Sequence, residues 1–167
     1  MIEGSKKFDY LSGKYDQNMK IGDQMPSFAV KDQDGRTVKS DELIGRGRKI
    51  VLYTYPKDST PGCTAEACSF RDSFQELSDA GYTIVGISKD SEKSHSNFRS
   101  KHELPFTLLA DTQTTLLQAL GAWGEKKFCG KTCVGTLRKT FVFSSEGVLE
   151  RIIDKVDTKN AAAQLLG

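Results

Sequence analysis

Lys49-Ile50-Val51-Leu52-Tyr53-Thr54-Tyr55-Pro56-Lys57-Asp58-Ser59-Thr60-Pro61-Gly62-Cys63-Thr64-Ala65-Glu66-Ala67-Cys68 joins a strand signal to a helix signal across a short Pro- and Gly-bearing loop. Residues 49–55 form an apolar, β-branched and aromatic run without strict alternation, the pattern of a strand covered on both faces. Pro56 cannot continue a central strand, and Thr60-Pro61-Gly62 reads as loop. From Cys63 onward the period becomes helical, with Ala67, Phe70, Phe74 and Leu77 spaced by three and four and Gly81 closing the segment. Thr60 and Gly62 are both suitable caps, so Cys63 falls in or next to the first turn. A cysteine there meets free backbone N–H groups and the positive end of the helix, which favour thiolate over thiol. With Cys68 five residues on, the stretch is built for redox chemistry.

A helix end alone is not enough. A free thiol with a pKa near ~8.5 is only a few per cent ionised at neutral pH. Lowering it by about two units takes roughly 2.7 kcal/mol, whereas a helix terminus contributes about 0.3–1 kcal/mol and at best ~2. The balance calls for a fixed cation. Arg138, in Gly135-Thr136-Leu137-Arg138-Lys139-Thr140-Phe141-Val142-Phe143, leads into another buried strand and is the best placed. Its forked guanidinium can hold an anionic sulfur and a second acceptor together. The alternative is an ordinary surface arginine ahead of a strand.

Tyr55 to Asp72 resembles the active-site segment of the peroxiredoxins, specifically the bacterioferritin-comigratory-protein or PrxQ subfamily. Its Pro-x-x-x-Thr-x-x-Cys motif falls on Pro56, Thr60 and Cys63. Members with a resolving cysteine in the same helix match at Cys68, and the family arginine matches Arg138. Similarity runs from about Lys20 to Leu166, through Leu104-Pro105-Phe106-Thr107-Leu108-Leu109-Ala110-Asp111 and Trp123-Gly124-Glu125-Lys126-Lys127. Cys129 and Cys133 depart from it, standing where aromatic or apolar residues are more usual.

The resemblance implies a thiol peroxidase with no cofactor or metal. Cys63 would be the peroxidatic residue, attacking hydrogen peroxide or an organic hydroperoxide to give a sulfenic acid, and Cys68 would resolve it as an intramolecular disulfide. Thioredoxin, or a similar dithiol, would restore both thiols. Thr60 would position peroxide and thiolate, Pro56 would shield the pocket, and the Cys63 and Thr64 amides with Arg138 would stabilise charge as the O–O bond breaks. The family is usually monomeric. One consequence follows from spacing alone: five residues advance about 7.5 Å along an α-helix and turn it roughly 140°, too far for a disulfide. Part of the Cys63–Asp72 helix must unwind for the two sulfurs to meet.

Composition fits a soluble enzyme. The 167 residues with 37% apolar content suit one domain with a real core. The 24 basic and 22 acidic residues leave +2, which predicts neither nucleic-acid nor membrane binding. Arg46-Gly47-Arg48-Lys49 and Lys126-Lys127 read as solvated loops. No apolar stretch is long enough to span a bilayer, and no signal-like region opens the chain. Four cysteines do not suggest a disulfide-stapled secreted scaffold, so a reducing cytoplasm is expected. Residues 1–19 read as a loosely ordered extension and 20–167 as a single domain.

Around the redox segment the pattern alternates. Phe28–Lys31 and Arg36–Val38 make a hairpin through an Asp-Gly turn, and Ser40–Leu43 a capped helical turn. Tyr82–Ser88 and Phe106–Ala110 are strands, with Ser91–His102 and Thr114–Leu120 helical. Phe141–Phe143 and Val148–Ile153 form a closing hairpin before a terminal helix over Asp157–Leu166. The sum is a thioredoxin-like three-layer α/β fold with an N-terminal β-hairpin. Cys129 and Cys133 read as packed or idle thiols, with an auxiliary disulfide or contact with the active site as the alternative. His95 and His102 read as two solvated histidines, and Trp123 packs near the pocket or covers a loop. Glu66, one turn past Cys63, sits either to bond near Arg138 or to favour the helix N-terminus. A disulfide reductase would want Cys-x-x-Cys, and a zinc module a tighter pair spacing. A peroxide sensor would share the first oxidation step.

Overall fold

A computed structural model of the protein describes residues 18–128 and 130–167. The expected N-terminal extension therefore lies, up to residue 17, outside the described residues, as does Cys129. Met19, at its end, packs into the core.

Strands β1 (Ala29–Lys31) and β2 (Thr37–Lys39) pair antiparallel as the expected hairpin, followed by helix α1 (Ser40–Leu43). Strand β3 (Lys49–Thr54) leads into helix α2 (Pro61–Asp72), α3 (Phe74–Asp79) and strand β4 (Tyr82–Ser88). Helix α4 (Glu92–His102), strand β5 (Thr107–Ala110) and helix α5 (Thr115–Ala119) follow. Strands β6 (Trp123–Phe128) and β7 (Lys131–Thr136) form a second hairpin. Strands β8 (Lys139–Phe143) and β9 (Leu149–Ile153), a 3₁₀ turn at Thr158–Asn160 and helix α6 (Ala161–Leu166) complete the chain.

The main sheet runs β5-β4-β3-β8-β9. Strands β3, β4 and β5 are parallel, and β8 and β9 add antiparallel. β3 lies at the centre, which is why its sequence lacks alternation. Val51 and Tyr53 face one core, with Ala67 and Phe70 of α2, Phe98 of α4 and Leu165 of α6. Ile50 and Leu52 face the other, with Leu116 and Leu117 of α5. Both faces are apolar because both are covered, and the architecture is the thioredoxin-like three-layer sandwich. Gly86 in β4 makes this packing possible: a Cβ there would stand 2.8 Å from Leu108 Cδ2 and 2.9 Å from Tyr53 Cζ. Tyr53 lies over a position where no side chain fits.

Both sheet edges are partly occupied. On β5, Asp32 bridges to Leu109, and the Leu108 N–H donates to Gln33 Oε1 at 3.0 Å. On β9, Gly22 N–H donates to Leu149 C=O and Leu149 N–H to Asp23 C=O, each at 2.8 Å.

Two expectations need correction. The helical period from Cys63 to Leu77 is not one helix: α2 ends at Asp72 and Ser73 (φ −108°, ψ 19°) turns the chain before α3. The apolar spacing survives the break because Phe70 and Leu77 still reach one core. The β6–β7 hairpin was not legible as strands, since its Lys- and Gly-rich residues stand outside the main sheet and lack a buried face.

Candidate active site

The loop from Tyr55 to Thr60 carries the chain from the end of β3 to the start of α2. Thr60 caps α2, Pro61 is its first residue, and the first helical hydrogen bond runs from Thr64 N–H to Thr60 C=O at 2.9 Å. The Gly62 and Cys63 amides precede that bond and belong to the positive end of the helix. Cys63 is buried, at 1% exposure. Cys68 is half-buried on the same helix, and both are free thiols.

Arg138 arrives from the segment between β7 and β8. Its Nη2 lies 3.4 Å from Cys63 Sγ and its Nη1 donates to Glu66 Oε1 at 2.7 Å. Arg138 is thus no ordinary surface arginine. Burial opposes its charge, but the Cys63 sulfur and the Glu66 carboxylate outweigh that and raise its pKa above the usual value. A clamp on its flanks holds it: the buried Thr54 hydroxyl donates to Leu137 C=O at 2.7 Å and accepts from Lys139 N–H at 3.1 Å. Gly62 completes the fit, because a Cβ there would stand 3.2 Å from Arg138 Nη2. The sequence showed the arginine, but neither Thr54 nor Gly62 as its setting.

Glu66 takes the first of its two expected placements, against Arg138. It is fully buried, and burial pushes its pKa up to about 7, with the charge and hydrogen bond of Arg138 pulling the other way. Its Oε2 has no partner. Among the described residues the buried side-chain polar atoms without partners are Glu66 Oε2, Tyr53 Oη and Thr136 Oγ1. Burial and the nearby Glu66 and Cys63 raise the Tyr53 pKa well above its ordinary value, so unsatisfied polarity collects beneath the site.

A cavity of about 430 Å³ opens beside the helix terminus, lined by Pro56, Thr60, Gly62, Thr136, Leu137 and Arg138, with Lys126 at one side. Pro56, Thr60 and Arg138 therefore line one cavity. The Cys63 side chain does not itself line the cavity; Arg138 touches both. The Thr60 hydroxyl donates to Lys57 C=O at 2.8 Å, which leaves its lone pairs as acceptors. Lys126, read from sequence as part of a solvated pair, donates to Thr136 C=O at 2.9 Å. Cys133 is exposed on β7, opposite Lys126 on β6.

The histidine reading is overturned at His95. It is fully buried, with Nδ1 at 2.7 Å from Asp58 Oδ2 and Nε2 at 2.9 Å from Leu109 O. Spacing alone placed it on a helix but not on the face turned toward the active-site loop. His102 is half-buried and packs edge-on against Phe98. Trp123 packs against the second core.

A buried cysteine thus stands at a helix N-terminus beside a fixed guanidinium. Comparison with known proteins gives the family. The AhpC/TSA family matches residues 21–152, and Peroxiredoxin Bcp of Bacillus subtilis is 43% identical over 148 residues, covering 89% of this chain and 93% of its own length. This chain is a peroxiredoxin of the AhpC/TSA family. Peroxiredoxin Bcp of Escherichia coli is 41% identical over 142 residues, 85% of this chain and 90% of the relative. Among solved structures, the bacterioferritin comigratory protein of Xanthomonas campestris superposes with a TM-score of 0.76 at 35% identity, covering 83% of this peroxiredoxin and 87% of that chain. BcpB of Mycobacterium tuberculosis gives 0.78 at 31%, covering 89% and 95%. The peroxiredoxin is thus of the Bcp/PrxQ type and is an oxidoreductase that acts as a thiol peroxidase.

Proposed function

We propose that this peroxiredoxin reduces hydrogen peroxide and organic hydroperoxides through Cys63 and Cys68 and is recycled by thioredoxin or a similar dithiol. The observation that carries the assignment of Cys63 is the 3.4 Å approach of Arg138 Nη2 to its sulfur at the first turn of α2. The Cys63 thiolate attacks one peroxide oxygen, the O–O bond breaks, and the alkoxide or hydroxide leaves with a proton as alcohol or water. Cys63 becomes a sulfenic acid. The Cys68 thiolate then attacks that sulfur, an S–S bond forms, and the sulfenic oxygen departs as water. An external dithiol reduces the disulfide and is itself oxidised.

Arg138 stabilises the sulfur and the departing oxygen, together with the free amides of the first turn. The unused lone pairs of Thr60 Oγ1 accept from the peroxide hydrogen, and Pro56 keeps water from the cavity. Both thiols lie on one helix five residues apart, so resolution requires α2 to open.

Peroxide-dependent consumption of reductant in a thioredoxin-coupled assay tests this reading. Cys63→Ser is expected to abolish peroxide consumption. Cys68→Ser is expected to react once, accumulate a trappable sulfenic acid and recycle poorly. Full multi-turnover activity in Cys68→Ser would move the resolving role to another thiol.

A further inference from the structure

The active-site loop is held from behind by a buried polar group that the peroxidase chemistry does not use. Asp58 lies midway between Pro56 and Thr60, is 5% exposed, and turns its carboxylate away from the cavity. Its Oδ1 accepts from Tyr55 Oη at 2.6 Å. Its Oδ2 accepts from Ser94 Oγ at 2.8 Å and faces His95 Nδ1 at 2.7 Å. Its backbone N–H donates to Asp90 Oδ2 at 2.9 Å, and Ser88 Oγ donates to the same oxygen at 2.6 Å. The loop is thereby fastened to the end of β4 and the first turn of α4. The fastening also sustains an unfavourable backbone, since Ser59 has φ +66°, a conformation disfavoured for residues with a side chain.

Proton accounting gives this group its character. Leu109 O only accepts, so His95 Nε2 must carry a hydrogen. One further proton lies between Nδ1 and Asp58 Oδ2. Burial alone would raise the Asp58 pKa, but the hydrogen bond and charge of His95, with Tyr55 and Ser94, hold it below the usual carboxylate value. That shared proton, with the Tyr55 and Ser94 hydroxyls, ties the Asp58 carboxyl to His95 on one side and to its own loop on the other. Asp58, Asp90 and His95 stand close enough to suggest a metal site, but their facing atoms are already engaged with Tyr55, Ser88, Ser94 and one another.

We propose that the buried Asp58–His95 pair is a positioning device for the peroxide pocket, which fixes Pro56 and Thr60 against β4 and α4 so that this wall keeps its shape whether α2 is closed or open. His95 touches neither substrate nor sulfur and acts through Asp58. The proposal rests on the peroxidase reading of Cys63, and the test separates the two.

The rate of Cys63 oxidation by hydrogen peroxide is measured by rapid mixing for wild type, Asp58→Asn, His95→Gln and the double variant. Each single change leaves a buried polar group without its partner, and a loop displaced by an ångström is expected to slow oxidation by about tenfold to a hundredfold. The double variant supplies two neutral amides that can bond to each other, so most of the rate is expected to return. Simple loss of structure would make the two effects add instead. As a check that needs no variant to fold, the ring ¹⁵N and ¹H signals of His95 in the wild type are expected to show a hydrogen on Nε2 and a hydrogen bond at Nδ1. Additive losses, unchanged rates in the single variants, or a His95 Nδ1 without a hydrogen bond overturn the proposal. A wild type inert to peroxide overturns the peroxidase reading itself.

Discussion

The proposed reaction of Cys63, a sulfur only 1% exposed, calls for a fixed opposite charge beside it, and Arg138 Nη2 stands 3.4 Å away. Arg138→Ala is expected to slow the first oxidation of Cys63 by about a hundredfold to a thousandfold, read by rapid mixing with peroxide. The Thr54 clamp makes a subtler test. Thr54→Val keeps the volume but strips the hydroxyl from both neighbours of Arg138, leaving Leu137 C=O and Lys139 N–H short of a partner. We expect a loss of about 1–3 kcal/mol in unfolding free energy and a slower oxidation, both restored in Thr54→Ser. An unchanged oxidation rate in Thr54→Val would make the clamp structural only. The arginine was legible because it stood before an apolar run, and Cys63 because a strand ended just ahead of it. The clamp was not, since a threonine inside a buried strand looks like any other β-branched residue until its cross-strand partner is known.

On the proposed mechanism, helix α2 must be orderly enough to seat Cys63 and loose enough to release it. Its far half is tied down: Ser69 Oγ accepts from Ala162 N–H at 3.0 Å, and Arg71 Nη1 donates to His102 C=O at 2.8 Å. Both ties fall after Cys68. Opening should therefore be confined to the first two turns. Amide exchange compared between reduced and disulfide forms is expected to show protection lost between Thr64 and Cys68 and retained from Phe70 to Asp72. Equal exchange in the two forms would refute unwinding, and loss through Asp72 would show that the ties do not hold. The strands, α2 and α4 were all readable from period and punctuation. The break at Ser73 was not, because the same apolar spacing serves one bent or two separate helices. The β6–β7 hairpin lacked the alternation that a half-buried sheet imposes. His95 needed tertiary information, since nothing in Ser91–His102 distinguishes the face that meets the loop.

At the scale of the whole molecule, two buried carboxyls pull stability in opposite directions with pH. Glu66 has a folded-state pKa raised to about 7 from 4.5. Its contribution is fully present below the ordinary value and is lost as pH rises through 7. Thermal unfolding of Glu66→Gln is expected to gain on wild type between about pH 4.5 and 7 and to level off above. A gap independent of pH would mean that Glu66 does not titrate there. Asp58 has its folded-state pKa lowered from 3.8, so its contribution is present above that value and disappears as the solution is acidified further. The margin of wild type over Asp58→Asn should be full at neutrality and close in strong acid. No helix among the described residues is long and apolar enough to cross a membrane.

The side chain of Gln33 and the bridge at Asp32 leave β5 with little to offer another chain, as the Gly22–Asp23 segment does for β9. An open five-stranded sheet otherwise invites its own kind to extend it. On the proposed cycle, in which α2 opens at each turnover, these small stoppers would keep the sheet from seeding polymer. Taking away Gln33 should show up first as turbidity under repeated peroxide challenge, well before any loss of turnover.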